Sequence, residues 1–229
     1  MSSAKNPEST QRSYARSGLV EFIRKQLRIA DFLRLLRWLR LAGNPSFNAM
    51  RRQLTFIELG PGPTRLARLK RRLFRAVYFV DQFDFGIPDD NLRIYDLEKV
   101  ADAGVIAHGL CAREVGDPVF LFADHCLEHL PESAVVRLLQ SIRAMGATAC
   151  FRVPNIASRT GKRNFGNDPT HQTDFNESLR ARLRDMGFAV EPWIRWYRLA
   201  PRLQVALGGK SPMSVAEEIA ICCVDKELS

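Results

Sequence analysis

The run Phe56-Ile57-Glu58-Leu59-Gly60-Pro61-Gly62-Pro63-Thr64 constrains this chain more than any other segment. Its first half is apolar and short, as a buried strand is. Its second half is a Gly/Pro turn leading into helix-favouring residues, with a helix expected over 64–74. Gly60 and Gly62 lack Cβ, so the backbone can turn sharply and a ligand can come close to it. A helix start presents free N–H groups and the positive end of its dipole. A second apolar run, Ala76-Val77-Tyr78-Phe79-Val80, ends in Asp81. A carboxylate one strand after a glycine turn is placed to hold a ribose diol. Together these residues imply a nucleoside-bearing ligand.

Two common nucleotide sites are excluded. There is no G-x-x-x-x-G-K-[ST] phosphate loop, and the dinucleotide pattern lacks its third glycine. Glu58 stands at the strand end, where it would repel a pyrophosphate but accept from an ammonium. That favours a cofactor with a cationic amino-acid end over NAD or ATP.

From Thr55 onward, apolar runs alternate with helical patterns. Strands are expected over 55–59, 76–80, 92–95, 118–123, 148–153, 188–197 and 218–225, and further helices over 98–108, 131–145 and 176–186. This alternation predicts an α/β fold, a Rossmann-like three-layer sandwich around a mostly parallel seven-stranded sheet. The last two strands are separated by a proline-bounded loop with little helical pattern, so an antiparallel C-terminal hairpin is expected at the sheet edge.

Residues 1–52 read as a basic helical N-terminal extension or lid, with its helix over 17–41, and residues 53–229 as the main domain. The extension holds 11 Lys/Arg against 3 Asp/Glu, a net +8 of the chain's +9, and the rest holds 23 against 22. The main domain therefore carries no strong nucleic-acid signature. The extension is expected to pack on the sheet, to act as a lid over an anionic substrate, or to contact a membrane surface by inserting Phe22, Phe32 and Trp38. No apolar run approaches the ~18 residues of a membrane span, and no secretory signal is visible. Five cysteines without C-x-x-C spacing are expected to be reduced core residues of a cytoplasmic protein.

Ligands of such sheets lie beyond the carboxyl ends of the strands. Polar residues collect there: Asp96-Leu97 after the third strand, Asp124-His125 after the fourth, and Asn155 after the fifth. The segments Glu58-Leu59-Gly60-Pro61-Gly62, Asp81, Leu127-Glu128-His129-Leu130, Val153-Pro154-Asn155 and Asp185-Met186-Gly187-Phe188 resemble the class I S-adenosylmethionine-dependent methyltransferases, over about residues 54–226. Thr64 stands where the pattern E/D-x-G-x-G-x-G has its third glycine. The resemblance implies S-adenosyl-L-methionine as cofactor. It assigns Glu58 and the Gly60 and Gly62 backbone to the amino-acid end, Asp81 to the ribose hydroxyls, and Asp96 and Leu97 to the adenine. Asp124 and His125 fall near the methionine part and the methyl group. Glu128 and His129 read as caps or local ion-pair partners.

His171 lies in a polar loop, Asn167-Asp168-Pro169-Thr170-His171-Gln172-Thr173-Asp174-Phe175, ahead of a helix. It is the expected general base, with His125 as the other candidate. Asn155 and His171 are expected to face the substrate. The D-P-T-H run resembles the loop of bacterial methyltransferases that modify sugars or surface polysaccharides. That likeness implies O-methylation of a sugar or small-metabolite hydroxyl, in polysaccharide biosynthesis. The alternatives are a nucleic-acid or protein methyltransferase that uses the basic arm, and a non-catalytic scaffold of the same fold. No metal is expected, since the spacing of Asp124, Asn155 and His171 does not demand one.

Overall fold

The alternating apolar runs pair into one seven-stranded sheet. The computed structural model describes residues 25–39, 52–61, 66–84, 91–99, 101–111, 117–195, 202, 206 and 211–223. A helix over 25–39 (α1) comes first. Then follow β1 (Thr55–Leu59), α2 (Ala67–Leu73), β2 (Ala76–Asp81), β3 (Leu92–Ile94), β4 (Val119–Asp124), α3 (Glu132–Met145), β5 (Thr148–Pro154), α4 (Arg159–Phe165), α5 (Glu177–Asp185), β6 (Ala189–Trp193), α6 (Pro212–Val215) and β7 (Glu218–Cys223). The strand order is β3-β2-β1-β4-β5-β7-β6, with every pair parallel except the two that involve β7. The chain runs outward from β1 to β3 and then returns to β4 on the other side of β1. The reversal opens a crevice at the carboxyl ends of β1 and β4.

The β-pleat sends successive side chains to opposite faces. Ile57, Leu59, Leu121, Ala123, Ala149, Phe151, Val153, Ile219 and Ile221 lie in one core, together with α3 and α5 residues such as Val135, Leu138, Leu139 and Leu183. Phe56, Val77, Phe79, Phe120, Phe122, Cys150 and Ala220 lie in the other, against Phe32, Leu35, Leu36 and Leu39 of α1. The α1 helix is thus a layer of the core. Its every-third-residue polar spacing resolves by burial. Arg28 and Arg37 are exposed and Asp31 is buried. Arg34 stacks over Trp193 at 4.4 Å and donates to the Ile194 carbonyl at 2.5 Å. Phe32 is buried, and the half-buried Trp38 packs edge-on to Trp193 at 5.9 Å. Phe22 lies outside the described residues, and no helix among them is long and apolar enough to cross a membrane.

Three expectations change. The segment 98–108 is not one α-helix. It holds a turn near 97–99 and a π-helical turn, Val105–Leu110. Gly104 and Gly109 weaken a regular helix here, and Asp102 Oδ1 accepts from the Val105 N–H at 2.9 Å. Two short helices, α4 and α6, arise where no apolar period announced them. Ser158 caps α4 by accepting from the Gly161 N–H at 2.9 Å. The expected antiparallel hairpin does stand at the sheet edge, with β7 next to β5 and β6 outermost. Finally, the cysteines are not all reduced. Cys150 and Cys222 are direct partners in the β5–β7 register and form a disulfide, whereas Cys111, Cys126 and Cys223 are free.

Leu35 of α1 is fully buried. Leu35→Ala is expected to lower unfolding free energy by about 2–5 kcal/mol, read as a lower urea midpoint at unchanged slope. A detachable arm would leave the midpoint unmoved.

Candidate functional site

The strand ends carry the polar groups. Gly60 closes β1 with φ of 59°, a left-handed conformation that glycine adopts without a Cβ penalty. A Cβ there would also meet Cys126 Sγ at 2.6 Å. The turn is therefore pressed against the segment that follows β4. Gly62, with Thr64, lies outside the described residues.

Two cavities adjoin at this point, and Gly60 and His125 line both. The wider one, about 560 Å³, is lined by Asp81, Tyr95, Asp96, Leu97, His129 and Thr170 among others. Asp81 ends β2, and its Oδ1 accepts from the Phe83 N–H at 3.2 Å. Asp96 Oδ1 accepts from the Glu98 N–H at 3.0 Å, and its other oxygen lies 3.3 Å from Lys99 Nζ. Asp96 thus braces its own turn while facing the cavity.

The second cavity, about 370 Å³, lies between α1 and the ends of β1, β4 and β5. Its charged walls follow from the pleat. Glu58 continues the face of Phe56, Asp124 that of Phe122, Arg152 that of Cys150, and Glu218 that of Ala220. All four therefore point toward α1. Arg152 pairs with Asp31 of α1 and donates to Asp124 Oδ2 at 2.6 Å. Arg195 Nε donates to Glu218 Oε1 at 2.5 Å. Lys70 of α2 reaches Glu58, within 5.4–5.9 Å of the ring centres of Phe32, Phe56, Phe79 and Phe122.

Lys70 of the same chain thus pairs with the carboxylate that the sequence assigned to a ligand's ammonium. Burial pushes the Glu58 carboxyl up and the Lys70 ammonium down, against their mutual attraction. Asp124 behaves oppositely. Burial alone would raise it, but Arg152, His125 and Arg195 outweigh that and hold its carboxyl well below the usual range.

His125 follows β4 in a left-handed conformation, φ 57°, which costs a non-glycine residue on the order of 1 kcal/mol. Its N–H donates to the Arg152 carbonyl at 2.9 Å, and its ring is gripped from both ends. Nδ1 lies 3.1 Å from Glu128 Oε1, and Nε2 lies 3.0 Å from Glu218 Oε1. Burial opposes the charged ring, but the two carboxylates prevail and raise its pKa to about 10. The two carboxylates thus favour the charged ring, which is the form without a lone pair to act as base.

Two further expected site residues stand away from the two cavities. Asn155 lines neither cavity. It is buried, donates from Nδ2 to the Met213 and Ala216 carbonyls at 2.8 Å each, and ties β5 to the segment leading into β7. His171 also lines neither cavity, although its neighbours Thr170 and Gln172 line the wider one. Its ring packs on that of His129, 5.0 Å between centres. Asp124 and His171 fall in separate clusters of possible ligands.

Lys70, Arg152, Arg195 and Glu218 had no place among the expected site residues. A charge inside an apolar strand, as in Ala149-Cys150-Phe151-Arg152-Val153, was the available signal, since such a group needs a partner.

The molecule is similar to a solved S-adenosylmethionine-dependent methyltransferase from Archaeoglobus fulgidus, with 16% identity, 86% of this chain and 93% of that one covered, and a TM-score of 0.56. It is also similar to a chain of the complex between the Haloferax volcanii Trm112 methyltransferase activator and a methyltransferase, with 13% identity, coverages of 83% and 88%, and a TM-score of 0.50. No protein-family model and no curated protein sequence matches the chain. The likeness is one of fold: a Rossmann-like sheet with the C-terminal antiparallel hairpin of the class I methyltransferases.

Lys70→Met strands a buried carboxylate and is expected to cost about 3–5 kcal/mol of stability. The double change Glu58→Leu with Lys70→Met should recover most of that loss in urea unfolding. Equal loss in the single and double variants would show that the two residues are not coupled.

Proposed function

We propose that this chain is an enzyme that transfers a methyl group from S-adenosylmethionine to a hydroxyl of a sugar or another small metabolite. The observation that carries it is the pair of cavities meeting at Gly60 and His125. The wider cavity has the residues a nucleoside needs: Asp81 for the ribose diol, and Asp96 and the buried Leu97 for the base. The second cavity receives the acceptor. Its volume of about 370 Å³ suits a small molecule better than a folded macromolecule. Asp124, Arg195 and Arg28 on its walls offer acceptors and donors to a hydroxyl-bearing ligand, beside the apolar faces of Phe32 and Phe165.

When bound, the cofactor supplies an electrophilic methyl group for in-line displacement. The chain's own contribution is positioning, which can supply ~7–11 kcal/mol of a barrier when the geometry is tight. Gly60 lets the ligand approach the turn closely. The Asp31–Arg152–Asp124 chain of charges holds the carboxylate at the end of β4 against the cavity wall. Glu58, Asp124 and His125 are all engaged by neighbouring charges, so positioning accounts for more of this site than a dedicated base does.

Calorimetric titration with S-adenosylmethionine should show one site, and Asp81→Ala should weaken it by at least tenfold, which is about 1.4 kcal/mol. A screen with methyl-labelled cofactor over sugars, lipid-linked glycans, phenols and RNA should label a small hydroxyl compound. Label found in RNA alone would overturn the acceptor assignment. Absence of cofactor binding would favour a scaffold.

A further inference from the structure

The geometry points to a divalent transition-metal site formed by Glu128, His129 and His171, at the rim of the wider cavity, which His129 lines. One donor atom from each of the three lies within 4.8 Å of the others. Glu128 is 1% exposed, and although its Oε1 lies 3.1 Å from His125 Nδ1, its Oε2 has no hydrogen-bond partner. A buried carboxylate oxygen left unpaired is costly, and a bound cation would satisfy it.

The two imidazoles are set for ligation by what surrounds them. Thr170 Oγ1 donates its proton to Asp168 Oδ1 at 2.6 Å, so toward His129 Nδ1, 2.9 Å away, it acts as the acceptor. His129 therefore carries its proton on Nδ1 and keeps a lone pair on Nε2. Asp168 Oδ2 also lies 3.6 Å from His171 Nε2, so the same carboxylate stands close to both rings, through Thr170 to one and directly beside the other. A carboxylate behind the ligating histidines is the usual device for fixing their tautomers. The loop itself is stapled to the Leu127–His129 turn. The Gln172 and Thr173 N–H groups donate to the Glu128 carbonyl at 2.8 and 3.1 Å, Gln172 Nε2 donates to the His129 carbonyl at 2.8 Å, and Thr173 Oγ1 donates to the Leu130 carbonyl at 2.6 Å. The three ligands, drawn from two segments of the chain, are thus held together before any ion arrives.

Two imidazoles and one carboxylate suit Zn²⁺, Mn²⁺, Fe²⁺ or Ni²⁺, whereas Mg²⁺ and Ca²⁺ prefer oxygen ligands throughout. The cluster formed by Asp124, His125 and Glu218 is a poor rival, because Arg152 and Arg195 already occupy its carboxylates. The metal site does not depend on methyl transfer, and it can be tested without it.

The test is calorimetric titration of the chelator-treated full chain with Zn²⁺ and Mn²⁺, and with Mg²⁺ as a comparison. One saturable Zn²⁺ or Mn²⁺ site per chain is expected, with Mg²⁺ at least tenfold weaker. His171→Ala, at a side chain 12% exposed, should abolish that site while the far-ultraviolet circular dichroism stays unchanged. Asp168→Ala should weaken it by about 10–100-fold, as the loss of a carboxylate behind a ligand does. Co²⁺ bound to the unaltered chain should give visible d–d bands that His171→Ala removes. His108→Ala, outside the cluster, should change nothing. No saturable site, or a site that survives both His171→Ala and Glu128→Gln, would overturn the assignment.

Discussion

The buried guanidinium of Arg152 is the interaction on which the rest of the site depends. It stands near the carboxyl end of β5, 4% exposed, paired with Asp31 of α1 and with Asp124 of β4. Burial opposes its charge, yet Asp124, Glu218 and Asp31 raise its pKa. Removing one partner of such a group strands a charge and costs several kcal/mol, far more than the pair contributes when intact. The helix α1, which begins as the most basic part of the sequence, is thereby tied into the sheet by a charge as well as by Phe32 and Leu35. The second cavity exists because that tie holds α1 over the strand ends.

A network of matched charges follows from this arrangement. Glu58 meets Lys70, Glu218 meets Arg195, and His125 is shared between Glu128 and Glu218. The left-handed backbone of His125 persists because both ring nitrogens and the backbone N–H are engaged. Strain of this kind survives only where the surroundings over-determine it. The consequence is a histidine whose ring is held between two carboxylates in a fixed orientation.

The two cavities differ in how far they could be read from the sequence. The wider one is built from residues next to strand ends, namely Gly60, Asp81, Asp96 and Leu97. Strand ends are marked by where apolar runs stop, and all seven strands begin or end within a residue or two of expectation apart from the long sixth run. The second cavity is built from Asp31, Lys70, Arg152 and Arg195, which lie far apart in the chain. Each looked like an isolated charge on a helix or strand. His171 and Asn155 were attractive because they are polar and sit in loops near strand ends. Orientation decides such cases, and a loop's side-chain directions depend on hydrogen bonds such as Thr170 to Asp168 and Asn155 to Met213.

The amino-acid sequence by itself determined the α/β alternation, the parallel sheet with its terminal hairpin, and the glycine turn at the crevice. These follow from local periodicity and from backbone freedom, which each segment carries alone. Only the tertiary structure decided that β7 inserts between β5 and β6, that Cys150 faces Cys222, that Lys70 answers Glu58, and that Asp31 reaches Arg152 from 121 residues away. Those are pairings between distant segments. Charge and burial set their energies, but register and helix placement decide which partners meet.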